Sequence, residues 1–329
     1  MKKFSNAVLK LIEDWPIVKI DIDHKNDFLA IGQNSYTGAY RLSIWDCSKH
    51  VQIFSQIEKK GHISTLSFIP GYDLLCVITN GKDFNLLDLT AFETLKSFTI
   101  ENKIRAISFR KNIVILMGTF LEIWDWTTEK KLWSLDKYQS GIITEKWDYN
   151  DLNCSWEYIE KSKNQPYFNR PAWALHSSNE NEIFLSGNNT ANIQRYNWRE
   201  NKTVKIINDA PLQMTGCSNS KNMKYMCVAG VIPDGDFLFD VNSGERMLTE
   251  LFNERFGASK ISCFHPNEKI IARGFHYGHV LLNYLETGET VYKDRLHKGD
   301  VNSICFTSNG QLLYSAGADG RLNVITLKI

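Results

Sequence analysis

The sequence contains no run of about 18 apolar residues, so no segment is suited to cross a bilayer as a helix. It also lacks a C-x-x-C pair. Its seven cysteines, Cys47, Cys76, Cys154, Cys217, Cys227, Cys263 and Cys305, are an odd number, and most sit in apolar, strand-like runs where a free thiol behaves as a small hydrophobe. This argues against a disulfide scaffold and for a reduced, cytoplasmic protein. Charge of one sign is missing too. Lys plus Arg number 38 and Asp plus Glu 37, a net charge of +1, which argues against sequence-independent binding of nucleic acid. There is no G-x-S-x-G, no glycine-rich phosphate cradle and no Cys/His signature, so no catalytic residue and no cofactor is expected. The opening Met1-Lys2-Lys3 leads into an apolar run that Lys10, Glu13 and Asp14 break too early for a signal peptide.

The chain does have 43% hydrophobic residues, enough for a core, and 12% aromatics including nine Trp. Its 329 residues are long for one ordinary domain and natural for two, or for one repeat array. Strand-like stretches recur: RLSIWD to Asp46, FNLLD to Asp88, LEIWD to Asp125, NIQRYN to Asn197, FLFD to Asp240, VLLNY to Tyr284 and LNVIT to Thr326. The first six run into polar turns. The intervals between these anchors are 42, 37, 72, 43, 44 and 42 residues. Five of them sit near the ~40–45 residue period of a four-stranded propeller blade. The remaining one, 72, is longer by roughly 30 residues on that scale, so one blade carries an insertion.

Trp45-Asp46, Trp124-Asp125, Gly61-His62, Phe264-His265-Pro266-Asn267 and Asp319-Gly320 carry a resemblance to the tryptophan–aspartate (WD) repeat family over nearly the whole chain. No repeat keeps that family's full Asp–His–Ser–Trp set. The expectation is an all-β chain in which residues 1–329 form one seven-bladed β-propeller of four-stranded blades. LEIWD is then the third strand of blade three, and its Asp125 helps pin the turn that follows.

Only three residues follow Thr326, so the seventh blade lacks an outer strand. Val8–Asp14, VLKLIED, matches Thr203–Asp209, TVKIIND, in character. Residues of about 6–13 are therefore expected to complete the last blade and remove its exposed edge. An N-terminal amphipathic helix is the alternative, because Val8, Leu11 and Ile12 also fit helical spacing.

The insertion falls at about 138–170, between blades three and four. Thr144–Tyr149 and Cys154–Ile159 mirror each other around Asn150-Asp151-Leu152-Asn153, which predicts a hairpin. Period-two alternation puts Trp147 and Tyr149 on one face of the first strand and Trp156 and Tyr158 on one face of the second, with Tyr167 and Phe168 following. The resemblance places this connection on the top rim, beside the central channel. There it either binds a partner or folds back on its own protein.

Residues just before each inner strand are expected to ring the channel mouth: Trp15, His62, Lys103, Arg170, Gln213, Lys260 and Asp300. The loops between second and third strands share that face. They bring Tyr36, Tyr40, Phe120, Asn188-Asn189, Asp234-Gly235-Asp236 and Phe275-His276-Tyr277. His276 and His279 form an H-x-x-H, but on a loop leading into a strand with no third ligand fixed by spacing. Asp234-Gly235-Asp236 is a fragment of a calcium loop without its 12-residue pattern. No metal is assigned. The functional expectation is a non-catalytic scaffold that binds a protein or peptide partner on its top face within a multi-protein complex. The alternative is a propeller enzyme or small-ligand sensor at the channel mouth. Convergent acids or histidines there would favour the second, an apolar aromatic surface the first.

Overall fold

The computed structural model describes residues 4–9, 15–23, 25, 27–118, 120–135, 149–150, 155–156, 171–187, 192–207, 210, 214–230, 236–247 and 259–328. Seven four-stranded antiparallel sheets stand in a ring. Blade one is Ile17–Asp23, Phe28–Asn34, Tyr40–Asp46 and Val51–Glu58, and blade two is Ile63–Phe68, Leu74–Thr79, Asp83–Asp88 and Glu93–Thr99. Blade three is Ile104–Arg110, Ile113–Gly118, Leu121–Asp125 and Lys130–Leu135, and blade four is Pro171–His176, Glu182–Gly187, Ile193–Asn197 and Lys202–Ile207. Blade five is Met214–Asn219, Tyr225–Gly230, Phe237–Asp240 and Arg246–Met247, and blade six is Ser259–Phe264, Ile270–Phe275, His279–Tyr284 and Thr290–Arg295. Blade seven takes Val301–Phe306, Leu312–Gly317 and Leu322–Leu327 from the end of the chain and Phe4–Leu9 from its start.

The core is divided among the seams between blades. Each of seven hydrophobic clusters joins one blade to the next, so every blade is held from both sides. Middle strands are buried on both faces and read as continuous apolar runs, as in Ile270–Phe275. Outer strands are mostly exposed, as in Glu93–Thr99.

Every anchor identified in the sequence closes or nearly closes a third strand. The anchor Asp does pin the next turn. Asp46 Oδ1 accepts from the backbone N–H of Ser48 and Lys49, and Asp88 Oδ1 from Thr90 and Ala91. Asp125, Asn197 and Asp240 repeat the arrangement. The residue four past each of the first six anchors has positive φ: His50, Phe92, Glu129, Asn201, Gly244 and Gly288. The turn is thus the same device six times, with glycine at only two of the six positions that favour it.

The N-terminal strand closes the ring, with Phe4 opposite Leu327 and Leu9 opposite Leu322. It lies three residues earlier than the match to Thr203–Asp209 implies: Leu9, not Ile12, stands where Ile207 stands against Ile193 in blade four. An outer strand is exposed along most of its length, so its side-chain pattern is weakly constrained and does not fix the register. Residues 10–14 lie outside the described residues. Across the closing seam, Asn302 Nδ2 donates to the Ile17 carbonyl at 2.8 Å and Ser303 Oγ to that of Ile20 at 3.1 Å.

Among the described residues, blade seven carries most of the Asp–His–Ser–Trp set of the family that the sequence resembles. In blade seven, His297 Nδ1 meets Asp319 Oδ1 at 3.0 Å, and His297 Nε2 meets Ser315 Oγ at 2.6 Å. Asn323 takes the remaining place, its Nδ2 on the Leu296 carbonyl. His62 of Gly61-His62, which also carried the resemblance, is exposed instead.

Candidate functional site

A single backbone irregularity shapes the channel mouth. In all seven inner strands the register slips by one residue at the same place: between Ile17 and Lys19, Ile63 and Thr65, Ile104 and Ala106, Pro171 and Trp173, Met214 and Gly216, Ser259 and Ile261, and Val301 and Ser303. Each is a β-bulge, a device that re-aims one side chain out of the alternation. The strand-opening residues Ile17, Ile63, Ile104, Ser259 and Val301 are buried, while the bulge residues Val18, Ser64, Arg105, Lys260 and Asn302 reach solvent. The mouth is therefore ringed by the second residue of each inner strand, not only by the residues before it. Lys260, expected just ahead of its strand, lies within it. The signal was present in the sequence as apolar residues three apart where alternation predicts two, in Ile17-x-x-Ile20, Ile104-x-x-Ile107 and Val301-x-x-Ile304.

Between blades six and seven the mouth carries a charged cluster. Lys260 Nζ donates to Asp300 Oδ2 at 3.2 Å and to Asn302 Oδ1 at 2.7 Å, and His276 Nδ1 lies 3.0 Å from Asp300 Oδ1. Partial burial works to raise the Asp300 carboxyl, but its hydrogen bonds to His276 and Lys260 hold it below the usual range. Beside it Tyr277 is 67% exposed with φ of 67°. Positive φ is costly for an aromatic residue. Its backbone is tied to the 295–297 segment: Arg295 Nε donates to the Tyr277 carbonyl, and the next carbonyl, of Gly278, accepts from the N–H of Leu296 and His297. A Cβ at Gly278 would lie 2.0 Å from the His297 carbonyl oxygen, so only glycine fits. In blade one Tyr36 is 89% exposed, on a turn tied by Ser35 Oγ to the N–H of Thr37 and Ala39.

Other expected rim residues divide. His62 and Lys103 are exposed, and Trp15 is half-buried with its carbonyl accepting from Gln33 Nε2. Phe120 is not available on the rim: at 4% exposure it belongs to the core between blades two and three. Tyr40 opens a strand and is half-buried, and burial raises its phenol. Phe275 is buried. Asp236 is not a calcium-type ligand facing solvent, because its carboxylate is buried against Arg273 of blade six. His279 opens its strand, and burial lowers its pKa.

Of the inserted segment, Tyr149 pairs with Trp156 and Asn150 with Ser155 in an antiparallel ladder. Asn150, expected in the turn, is thus a member of the ladder. Trp147, Tyr158, Tyr167, Phe168 and Arg170 lie outside the described residues, as do Asn188, Asn189, Gln213, Asp234 and Gly235.

Two likenesses bear on what such a ring does. The family model described as WD domain, G-beta repeat matches residues 288–325. That span holds His297, Ser315 and Asp319. A WD repeat-containing protein, JIP5, of Coccidioides immitis (strain RS) is 31% identical over 94 residues, which cover 25% of this chain and 21% of that protein.

Proposed function

We propose that this WD-repeat β-propeller is a non-catalytic scaffold that holds a protein or peptide partner on its top face, as part of a multi-protein complex. WD propellers in general mediate protein–protein interaction, and the particular reading rests on one observation. Two exposed tyrosines, Tyr36 and Tyr277, stand on the same rim as a ring of bulge-presented side chains, each held by a backbone that hydrogen bonds fix in advance. Tyrosine gives a large amphipathic contact at low entropic cost, and fixing its backbone beforehand reduces the ordering that binding would otherwise require. The positive φ at Tyr277, whose side chain is largely exposed, is strain that favours a role in recognition.

The inserted segment at about 138–170 extends this surface, with Trp147, Tyr149, Trp156, Tyr158, Tyr167 and Phe168 as further anchors and Trp15, His62, Lys103, Arg170 and His276 as its polar and mixed rim. A second reading, a small-ligand sensor, draws on the Lys260–Asp300–His276 cluster. The six described cysteines are free, in keeping with a reducing compartment, and we place the protein in the cytoplasm. No helix among the described residues is long and apolar enough to cross a membrane.

Affinity capture with the wild-type chain and with Y36A/Y277N tests the scaffold reading. The variant is expected to lose the captured partner at unchanged melting temperature. Retention of every partner by the variant would remove these tyrosines from the interface.

A further inference from the structure

The inner strands repeat more than their bulge. Five residues past each strand opener stand Ile22, Phe68, Phe109, His176, Asn219, Phe264 and Phe306, each paired with an apolar residue of the second strand. In five blades this position is apolar and buried, a phenylalanine four times and an isoleucine once. The exceptions fall in adjacent blades, His176 in blade four and Asn219 in blade five.

At this break in the repeat lies a solvent-open cavity of about 490 Å³. The inner strands start at the top mouth and run away from it, so the cavity lies on the opposite face. Phe109 and Leu175 give it apolar surface, and Arg110, His176, Asn219 and Lys221 give it polar groups.

A polar side chain in an apolar position costs free energy unless its hydrogen bonds are complete. Those of Asn219 are not. Its Nδ2 donates to the His176 carbonyl at 3.0 Å, but its Oδ1 is buried and accepts from nothing among the described residues. His176 Nε2 lies 3.0 Å from the Ser108 carbonyl, which can only accept, so the neutral ring keeps its lone pair on Nδ1. Two acceptors thus belong to the lining. The cations beside them are not neutralised within the protein. Arg110 spends Nη1 and Nη2 on the carbonyls of Ser177 and Ser178 and keeps further N–H groups to spare. Lys221 is exposed and makes no ion pair among the described residues. Two carboxylates nearby are already engaged, Glu180 by Lys111 and Glu268 by the N–H and Nδ2 of Asn222.

We propose that this cavity, at the inner-strand ends of blades three, four and five, binds a small phosphate monoester whose carbon skeleton also carries hydroxyl or amino groups. Arg110 and Lys221 face the phosphate, which brings about two negative charges at neutral pH to the two cations. Asn219 Oδ1 and His176 Nδ1 accept from the donors of the skeleton. The volume falls within the range of about 300–1,000 Å³ usual for small-molecule sites. The site is remote from Tyr36 and Tyr277 and does not depend on the function proposed for them.

Titration calorimetry of the full chain tests this with two esters, ribose 5-phosphate and adenosine monophosphate, and with ribose and inorganic phosphate as the separate halves. At least one ester is expected to bind about tenfold or more tightly than either half. K221E, at an exposed position, and N219L, of similar size but without the acceptor, should each weaken that ester by about tenfold or more, the scale of one lost charged or buried hydrogen bond. K221R should retain it. Melting curves without ligand check that the variants fold, and K221E decides alone if N219L does not. Failure of both esters to bind at millimolar concentration overturns the proposal and leaves a cavity that holds water. Inorganic phosphate or ribose binding as tightly as the esters overturns it too. Ester binding that survives K221E lies elsewhere on the molecule and likewise overturns it.

Discussion

Arg273 of blade six donates from Nη1 to Asp236 Oδ2 of blade five at 3.0 Å, and each side chain is 1% exposed. Two further guanidinium nitrogens reach Asn283 Oδ1, and the ring of Phe275 lies 5.1 Å from the guanidinium carbon. Burial pushes the Asp236 carboxyl up and Arg273 opposes that push. The pair ties a loop of one blade to the middle strand of the next.

Removing one partner should therefore cost far more than removing both. D236A leaves a buried guanidinium uncompensated and should lower stability by about 3–5 kcal/mol, while the double change D236L/R273M should recover much of that loss. Denaturant melts of the three proteins decide it. A single variant within about 1 kcal/mol of wild type would show that water replaces the carboxylate.

His176 predicts a pH dependence. Burial, opposed by the hydrogen bond to the Ser108 carbonyl and aided by Arg110, lowers its pKa to about 4. The folded form therefore binds the proton less readily than the unfolded chain, whose histidine titrates near ~6.5. The stabilising contribution is complete above that value and is lost as pH falls toward 4, by up to about 3 kcal/mol. Chemical melts at pH 7.5 and 4.5 should differ by this amount, and H176Q should flatten the difference. An equal slope in H176Q would move the effect elsewhere, His297 being the next candidate because burial lowers its pKa too.

Deleting residues 1–14 strips the outer strand from blade seven and leaves the edge of Leu322–Leu327 unpaired. Melting temperature should fall and aggregation rise, since that strand also covers the core to which Phe4 and Leu9 contribute. A truncated chain that stays monomeric and melts as the wild type does would mean the closing strand is dispensable.

For the insertion, W147A/W156A should weaken binding of a captured protein partner by about 2–4 kcal/mol, the scale of aromatic hot spots, with little change in melting temperature. Affinity and melting temperature on one preparation separate this from its converse. An early melt with binding retained would make these tryptophans internal packing.

Blade number and order were legible because anchor residues such as Asp46, Asp88 and Asp125 do local work: each satisfies backbone donors in its own turn, so identity and spacing recur together. The mouth was less legible. Phe120 and Asp236 sit in loops of the expected face, yet one turns into an apolar seam and the other meets an arginine from the neighbouring blade. Such outcomes depend on residues distant in sequence, which local pattern does not contain. The bulges leave a trace in the sequence, but each is a single break in an otherwise two-residue period and so stands out weakly from it.

The closing strand has a mechanical consequence. Phe4 and Leu327 face each other at one end of the same antiparallel ladder. Force applied to the two chain ends therefore loads that end alone and opens the ladder one rung at a time, as a zipper, rather than shearing all its rungs together. A ring whose blades are each clasped from both sides should thus still yield to gentle pulling, with blade seven opening first.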